Sequence, residues 1–292
     1  MTATDVHDAP LAVGQVVDMI AGRLGESRIA DASAEARDIV AAVLDENRFW
    51  PRVHADTVMS REVADRAFAV AALRRSGMPF AYAVGRAAFR HLTLQVSERV
   101  LIPRQETEVL IDLVLERRRT GTCADIGTGS GAIALALAAE GSFERIVATD
   151  IDGGAVALAR RNAEALGPQL RAPVFFRTGD LLAPLAGDSF DLLVSNPPYI
   201  AFEEAAELPE SVRNWEPGHA LYSGSHGLDA TRRIIGDAPG ILSTGGLLAL
   251  EVDSRRATTV ADLAASSGHF RDVGVFQDLA GRDRFVLATR AA

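Results

Sequence analysis

The fold is decided by the glycine-rich stretch Asp125-Ile126-Gly127-Thr128-Gly129-Ser130-Gly131. An apolar run at 123–127 leads into this stretch, and residues 132–139 after it have the composition of a buried helix. A strand, a glycine turn and a helix in this order let the backbone approach a ligand, because glycine has no Cβ. The same residues also suit a strand-to-helix turn that binds nothing, so the stretch alone indicates structure and not function.

Short apolar runs continue to alternate with helical stretches beyond this loop. We predict seven strands, at residues 123–127, 146–150, 174–179, 190–195, 247–252, 273–277 and 285–289. Strands separated by helices are typical of a parallel sheet that is covered on both faces. The predicted fold class is therefore α/β, with a seven-stranded Rossmann-like sheet.

The first part of the chain has a different pattern. Between residues 11 and 75 the apolar residues recur at helical spacing, as Val13, Val17, Ile20 and Leu24 do. Residues 91–96 alternate as a half-exposed strand does. We predict a small N-terminal helical domain at 1–79, a β-hairpin linker at 80–100 and the α/β domain at 101–292.

The composition excludes several classes of protein. The chain has 292 residues and a net charge of −9, which argues against a surface that follows nucleic-acid phosphates. Its single cysteine, Cys123, excludes an internal disulfide framework, and its six histidines are scattered, so we expect no metal site. No apolar run approaches the roughly 20 residues of a membrane span, and the first ten residues lack a secretory pattern. We therefore expect a cytoplasmic protein that makes no membrane contact.

Acidic residues recur where the predicted strands end. Asp150 ends the second of these strands 25 residues after Asp125, close to the roughly 20-residue spacing at which an acid binds ribose hydroxyls. Asp180 follows the third strand, where it either accepts a hydrogen bond from an adenine amino group or caps a short turn. No third glycine stands where the dinucleotide pattern requires one, which argues against a pyrophosphate. A nucleoside with a sulfonium cation and no phosphate suits these carboxylates, so the expected cofactor is S-adenosylmethionine.

The most specific motif is Asn196-Pro197-Pro198-Tyr199, directly after the predicted strand at 190–195. Its two prolines fix the backbone without help from a ligand. An amide nitrogen or an exocyclic amino nitrogen on a planar system is a poor nucleophile, because its lone pair is delocalised. The Asn196 side-chain carbonyl and the Pro197 backbone carbonyl can each accept one of its N–H groups, and Tyr199 can pack on its flat face. The alternative is a proline-rich turn that ends a strand.

These motifs, together with segments at 100–108, 216–221, 227–229, 245–251 and 281–284, resemble the HemK-like release-factor glutamine methyltransferases. The resemblance implies a class I methyltransferase fold with S-adenosylmethionine as cofactor. It also implies methylation of the glutamine side-chain amide in the Gly-Gly-Gln loop of a peptide chain release factor. The helical first domain resembles the substrate-docking domain of that family.

The resemblance implies a role for each matching residue. The catalytic residues would be Asn196, Pro197 and Tyr199. The cofactor would lie on Asp125, Ile126, Gly127, Thr128, Gly129, Asp150, Asp180, Leu181 and Asn196. The substrate would lie on Asn196, Pro197, Pro198 and Tyr199. Arg104 and Glu106 are candidates for closing the pocket, and the alternative for both is a role at the start of a helix.

Three departures from the family pattern leave other substrates open. Gln105 stands where the family usually has proline, residues 86–89 lack the usual acid before phenylalanine, and residues 251–256 lack the usual glycine and glutamine. A paralogue that methylates a small-molecule amide or guanidine is therefore one alternative. An adenine methylase of nucleic acid is another, although the acidic charge and the lack of a basic target-reading domain count against it. A cofactor-binding scaffold without activity is disfavoured by the intact Asn196 and Tyr199. We expect a monomer that binds a release factor and makes no direct contact with nucleic acid.

Overall fold

The computed structural model describes residues 10–27 and 29–292. The chain divides into two compact units, Met1–Gly85 and Arg86–Ala292. The hairpin that was expected from residue 80 begins only at Arg86, because Phe80–Val84 forms a short helix. Gly85 ends this helix in the left-handed conformation, which glycine adopts readily.

The described part of the first unit contains five helices. They are α1 (Val13–Gly25), α2 (Ala32–Leu44), α3 (Trp50–Val53), α4 (Arg61–Arg75) and α5 (Phe80–Val84). The predicted stripe of Val13, Val17, Ile20 and Leu24 is buried in one hydrophobic cluster, which confirms the helical spacing. The helical pattern therefore builds a small core of its own in this unit.

The second unit begins with a hairpin and continues with the large sheet. Its hairpin strands are β1 (Arg86–Phe89) and β2 (Leu92–Gln95), which pair antiparallel. The remaining strands are β3 (Thr120–Ile126), β4 (Ser142–Asp150), β5 (Val174–Thr178), β6 (Phe190–Ser195), β7 (Leu242–Glu251), β8 (Phe270–Gln277) and β9 (Asp283–Arg290). The helices are α6 (Gln105–Arg117), α7 (Ala132–Glu140), α8 (Gly153–Leu166), α9 (Glu210–Trp215), α10 (Gly218–Leu221), α11 (Asp229–Asp237) and α12 (Ala257–Ser266). All seven strands that the sequence predicted are present.

The large sheet has the strand order β5-β4-β3-β6-β7-β9-β8. Its first five strands are parallel, but β9 runs antiparallel to both β7 and β8. The alternating pattern is typical of a parallel sheet, and this edge of the sheet departs from it. The physical reason is the short connection at 278–282, because five residues cannot form the crossover that a parallel pair needs.

The order of the sheet reverses beside β3. The strands β4 and β5 lie on one side of β3, whereas β6 and β7 lie on the other. In open α/β sheets, ligands bind at the carboxyl ends of the strands next to such a reversal. The glycine stretch after β3 and the Asn196–Tyr199 loop after β6 are thus placed at the same edge.

Helices cover both faces of this sheet. Cys123 packs in one hydrophobic cluster with residues of α6 and α7, whereas Ala124 and Ile126 pack in another with residues of α11 and α12. Successive residues of a strand point to opposite faces, so the apolar run of β3 is buried on both sides. The predicted α/β fold is confirmed.

Within residues 10–27 and 29–292, none of the helices is long and apolar enough to cross a bilayer.

Candidate active site

The glycine loop after β3 turns sharply at the carboxyl edge of the sheet. Gly127 and Gly129 have φ angles of 73° and 55°, which residues with a Cβ rarely adopt. The backbone N–H groups of Gly127 and Thr128 donate to the Thr149 carbonyl at 2.9 and 2.8 Å, so the loop is tied to β4. A Cβ on Gly127 would meet no atom within 4 Å. The loop therefore borders open space that a ligand can fill.

Asp125 lies behind this loop and is fully buried. Its Oδ2 accepts hydrogen bonds from the Thr128 hydroxyl at 2.6 Å and from the Ala134 N–H at 3.1 Å. Its Oδ1 has no hydrogen-bond partner, and burial raises the pKa of Asp125 to about 7. Ile126 is also fully buried. The structure thus places these two residues behind the glycine loop, where they fix its shape.

Asp150, at the end of β4, joins the second strand to the same loop. Its Oδ2 accepts from the Gly129 N–H at 2.8 Å, and its Oδ1 accepts from the Asp152 N–H at 3.0 Å. Burial raises the pKa of this carboxyl, while the two hydrogen bonds oppose the rise. A carboxylate has about four acceptor sites, so Asp150 retains capacity for ligand hydroxyls. Its position agrees with the spacing that suggested a ribose contact.

A cavity of about 350 Å³ lies over these strand ends, within the usual range for small-molecule sites. Nine of the predicted residues line it. They are Arg104, Gly127, Thr128, Gly129, Asp150, Asp180, Leu181, Asn196 and Pro198. Its apolar wall includes Val100, Ile133 and Ile151. Backbone amides, a carboxylate and apolar side chains are the groups that a nucleoside with an amino-acid tail requires, so S-adenosylmethionine fits this cavity.

Asp180 has a partner that the sequence did not reveal. Both of its carboxylate oxygens accept from Arg233 on α11, at 2.6 and 3.3 Å. Arg233 also lines the cavity, and about half of the Asp180 side chain is exposed. The Asp180 carboxylate, for which both a contact with an adenine amino group and a cap of a short turn were open, is therefore already paired with a cation.

The Asn196–Tyr199 loop leaves the sheet next to the glycine loop. The Ser195 hydroxyl donates to the Ile126 carbonyl at 2.7 Å, which ties the end of β6 to the end of β3. The Asn196 Nδ2 donates to the Thr107 hydroxyl at 3.1 Å, and that hydroxyl donates to Glu251 Oε2 at 2.7 Å. Asn196 is thus held by residues far away in the sequence.

A second cavity of about 250 Å³ adjoins the first. The two share four lining residues, which are Leu101, Arg104, Asn196 and Ala220. Tyr199 lines only the second cavity, and burial raises the pKa of its phenol, so the hydroxyl stays protonated at neutral pH. Pro197 is buried and lines neither. Asn196 therefore stands between two spaces, one of which suits the cofactor and the other an acceptor.

Arg104 is fixed on the wall that the two cavities share. Its Nη2 donates to Glu216 Oε1 at 2.6 Å, and the Ile102 N–H donates to the other oxygen of Glu216 at 3.4 Å. Glu216 is buried, so this ion pair anchors the segment before α6. Glu106 lies in the first turn of α6 and lines neither cavity, which matches the alternative role at a helix start.

His219 and Gly227 also belong to the site, although the sequence assigned no role to either residue. His219 on α10 lines the larger cavity near Asp150, where a positive charge on its ring would lower the pKa of that carboxyl. His219 lies within the 216–221 segment that resembles the family, but the sequence pattern assigned it no role. Gly227 has a φ of 68°, and a Cβ at this position would lie 2.3 Å from the Tyr199 carbonyl. The glycine of the 227–229 segment thus permits close packing behind the Asn196–Tyr199 loop.

The fold and the site together define an S-adenosylmethionine-dependent methyltransferase of class I. Two family models match the chain, the PrmC N-terminal domain at 15–85 and the methyltransferase small domain at 105–209. The release factor glutamine methyltransferase of Moorella thermoacetica is 48% identical, over 74% of this chain and 77% of that protein. The enzyme of the same name from Xylella fastidiosa strain 9a5c is 40% identical, over 89% and 93%. The chain belongs to the release factor glutamine methyltransferase family.

Solved structures agree with this fold. The hMettl16 catalytic domain in complex with MAT2A 3'UTR hairpin 1 matches with a TM-score of 0.53 and 18% identity, over 81% of this chain and 83% of that one. A methyltransferase from Pyrococcus furiosus matches with a TM-score of 0.52 and 16% identity, over 70% and 92%. At such identities the likeness concerns the fold alone.

Proposed function

We propose that this chain transfers a methyl group from S-adenosylmethionine to the glutamine side-chain amide in the Gly-Gly-Gln motif of a peptide chain release factor. The observation that carries the proposal is the position of Asn196, which lines both cavities and whose Nδ2 is bonded to Thr107. Its carbonyl oxygen is left to accept from a planar N–H group. Membership of the family supports glutamine as that group.

The cofactor is proposed to lie in the larger cavity. When bound, S-adenosylmethionine supplies a methyl group on a sulfonium, which is open to in-line attack by a nucleophile. The backbone of Gly127, Thr128 and Gly129 is proposed to hold the amino-acid end, and Asp150 the ribose. Asp180 and Leu181 line the remaining wall, while Asp125 and Ile126 act from behind the loop by fixing its shape.

The glutamine side chain is proposed to enter the smaller cavity. The Asn196 Oδ1, which borders this cavity, is proposed to accept one N–H group of its amide, which turns the nitrogen toward the methyl group and polarises it. The Pro197 backbone carbonyl is proposed to accept the second N–H group, although Pro197 itself lines neither cavity. Pro198 keeps the loop rigid, and Tyr199 borders the cavity. The nitrogen that receives the methyl group would release one proton to an acceptor or to water, and the cofactor would be left as a neutral thioether. A strong general base is therefore not required.

Arg104 is proposed to close the site, because it lines both cavities and is fastened by the buried Glu216. Glu106 is proposed only to support the start of α6. The helical unit before Arg86 is proposed to bind the body of the release factor, as the resemblance implies. That the chain acts as a monomer in the cytoplasm, without direct contact to nucleic acid or membrane, stays a prediction.

Mass spectrometry of a purified release factor tests the proposal. After reaction with the chain and isotopically labelled S-adenosylmethionine, we expect one methyl group on the glutamine of the Gly-Gly-Gln loop. A release factor whose glutamine is replaced by alanine should stay unlabelled, and equal labelling of both proteins would overturn the proposal. DNA, RNA, free glutamine and free arginine serve as the comparison acceptors, and labelling of any of these in preference would contradict it too.

A further inference from the structure

Three side chains from different elements form a chain of hydrogen bonds behind the reactive loop. Ser195 pairs with Leu250 in the parallel β6–β7 ladder, so Asn196 and Glu251 follow at the ends of neighbouring strands. Thr107, in the first turn of α6, lies between their side chains. Thr107 and Glu251 are 4% and 1% exposed, so water has little access to either. The polar groups of these side chains must therefore form hydrogen bonds with one another and not with water.

While Glu251 is ionised, the protons available to these three side chains fix the direction of the hydrogen bonds. The Thr107 hydroxyl has a single proton, which it donates to Glu251 Oε2 at 2.7 Å. An ionised carboxylate has no proton to return, so the hydroxyl can only accept on its other side. It accepts from the Asn196 Nδ2 at 3.1 Å. The amide of Asn196 is therefore oriented with its NH2 group toward Thr107 and its carbonyl oxygen away from it.

We propose that Thr107 and Glu251 are positioning residues that keep the Asn196 amide from reversing, so that its carbonyl and not its NH2 group meets the nitrogen to be methylated. This inference rests on the proposed function. In the reversed orientation the NH2 group would face another N–H donor, and the acceptor amide would lose one of its two hydrogen bonds. Neither residue has to touch the substrate for this effect.

The groups around Glu251 determine whether its carboxyl is ionised or protonated. Burial raises the pKa of Glu251 to about 7, while the Thr107 hydrogen bond lowers it. Arg284 on β9 and Arg104 favour the ionised form, Glu106 on α6 disfavours it, and the Tyr199 phenol also lies within range of its charge. A protonated Glu251 could donate to Thr107, which could then donate to the Asn196 carbonyl. The reversed amide would then be equally well bonded.

The first test compares Thr107→Val with Thr107→Ser. Valine keeps the shape and removes both hydrogen bonds, whereas serine keeps the hydroxyl. We expect kcat for methylation of the release factor to fall about 10- to 100-fold in Thr107→Val, with KM for both substrates little changed. Thr107→Ser should recover most of that loss. A folded Thr107→Val protein with wild-type kcat would overturn the inference, as would an equal loss in the serine variant.

The second test is a rescue, which does not depend on the stability of Thr107→Val. In Asn196→Asp the single Thr107 proton faces two carboxylates, so we expect kcat to fall by about 100-fold. When Glu251→Gln is added, the new amide can donate to the Thr107 hydroxyl. The Thr107 hydroxyl can then donate to one oxygen of the carboxylate introduced at position 196. The second oxygen of that carboxylate stays free to accept from the substrate. We expect the double variant to exceed Asn196→Asp by about tenfold or more. Additive losses in the two substitutions would overturn the inference.

The wild-type assay separates this inference from the proposed function. If wild-type protein does not methylate a release factor, the proposed function fails. The orientation is then read by NMR from the side-chain NH2 signals of Asn196. These signals should move in Thr107→Val and stay near their wild-type positions in Thr107→Ser. Unchanged signals in the valine variant would overturn the orientation itself.

Discussion

The glycine loop after β3 and the Asn196–Tyr199 loop after β6 lie at the same sheet edge but are held in different ways. The glycine loop is held within the single stretch from β3 to β4, since Asp125 binds Thr128 and Ala134, three and nine residues away, and Asp150 accepts from Gly129, 21 residues away. The other loop depends on Thr107, which is 89 residues from Asn196. One wall of the site is thus a local structure, whereas the other is assembled by the fold.

This difference predicts separable functions, and Asn196→Ala should separate them most strongly. Removing the acceptor carbonyl should lower kcat by about 1000-fold, as the loss of a preorganised polar group does elsewhere. The dissociation constant for S-adenosylmethionine, measured by calorimetry, should change by no more than about threefold, because Asn196 forms only a small part of the wall of the larger cavity and the glycine loop does not depend on it. A parallel loss of cofactor binding would show that the two loops act as one unit.

Asp125→Ala should act on the opposite wall. It leaves the Thr128 hydroxyl and the Ala134 N–H without their buried acceptor, at a cost of about 1–3 kcal/mol for each. We expect the thermal midpoint to fall and the cofactor dissociation constant to rise by about 100-fold. Asp125→Asn is the matched control, since it keeps the shape and one acceptor, and it should lie between wild type and Asp125→Ala. Normal cofactor affinity in Asp125→Ala would mean that the loop holds its shape without this residue.

Gly227→Ala should disturb the Asn196–Tyr199 loop from behind. The added methyl would lie 2.3 Å from the Tyr199 carbonyl, so the backbone of the loop must move. We expect kcat to fall about tenfold while cofactor binding is retained. Gly187→Ala provides the control, because Gly187 has a similarly positive φ but no atom within 4 Å of the added Cβ. Equal activity of the two variants would mean that the contact with Tyr199 is unimportant.

The smallest effect should be a change in how stability depends on pH. Burial raises the pKa of Glu251 from 4.5 to about 7, so the folded protein holds this proton where the unfolded chain has released it. The contribution of Glu251 to the free energy of unfolding is therefore greatest below about pH 4.5 and is lost as pH rises to about 7. Glu251→Gln should remove a slope of up to about 1.4 kcal/mol per pH unit in this range, measured by urea denaturation. Parallel pH curves for wild type and variant would contradict the raised pKa.

The contrast between the loops also explains what the sequence could reveal. The glycine loop, Asp150 and the Asn196–Tyr199 loop each follow a strand as a local pattern, and all seven strands were found by their apolar runs. The pairing of Asp180 with Arg233 joins residues 53 apart, and no local pattern predicts it. His219 lies in the matching segment at 216–221, but that pattern assigned it no role. The antiparallel β9 was missed because strand composition was considered without the length of the connection before it.

Thr107 and Glu251 lie between these two cases, because the sequence pattern includes them but does not show what they do. Both lie in segments that resemble the family, at 100–108 and 245–251, but no local pattern assigned a role to either residue. Their role follows from a hydrogen-bond direction that only the positions of three side chains establish. Local chemistry is therefore predictable here, whereas the orientation of an amide is not.

The wall shared by the two cavities has a thermodynamic consequence. Leu101, Arg104, Asn196 and Ala220 face both spaces, so a ligand in one restricts side chains that also border the other. The two binding free energies are then coupled. Thermodynamic linkage makes this coupling reciprocal. If bound cofactor changes the affinity for the acceptor by some factor, bound acceptor changes the affinity for the cofactor by the same factor.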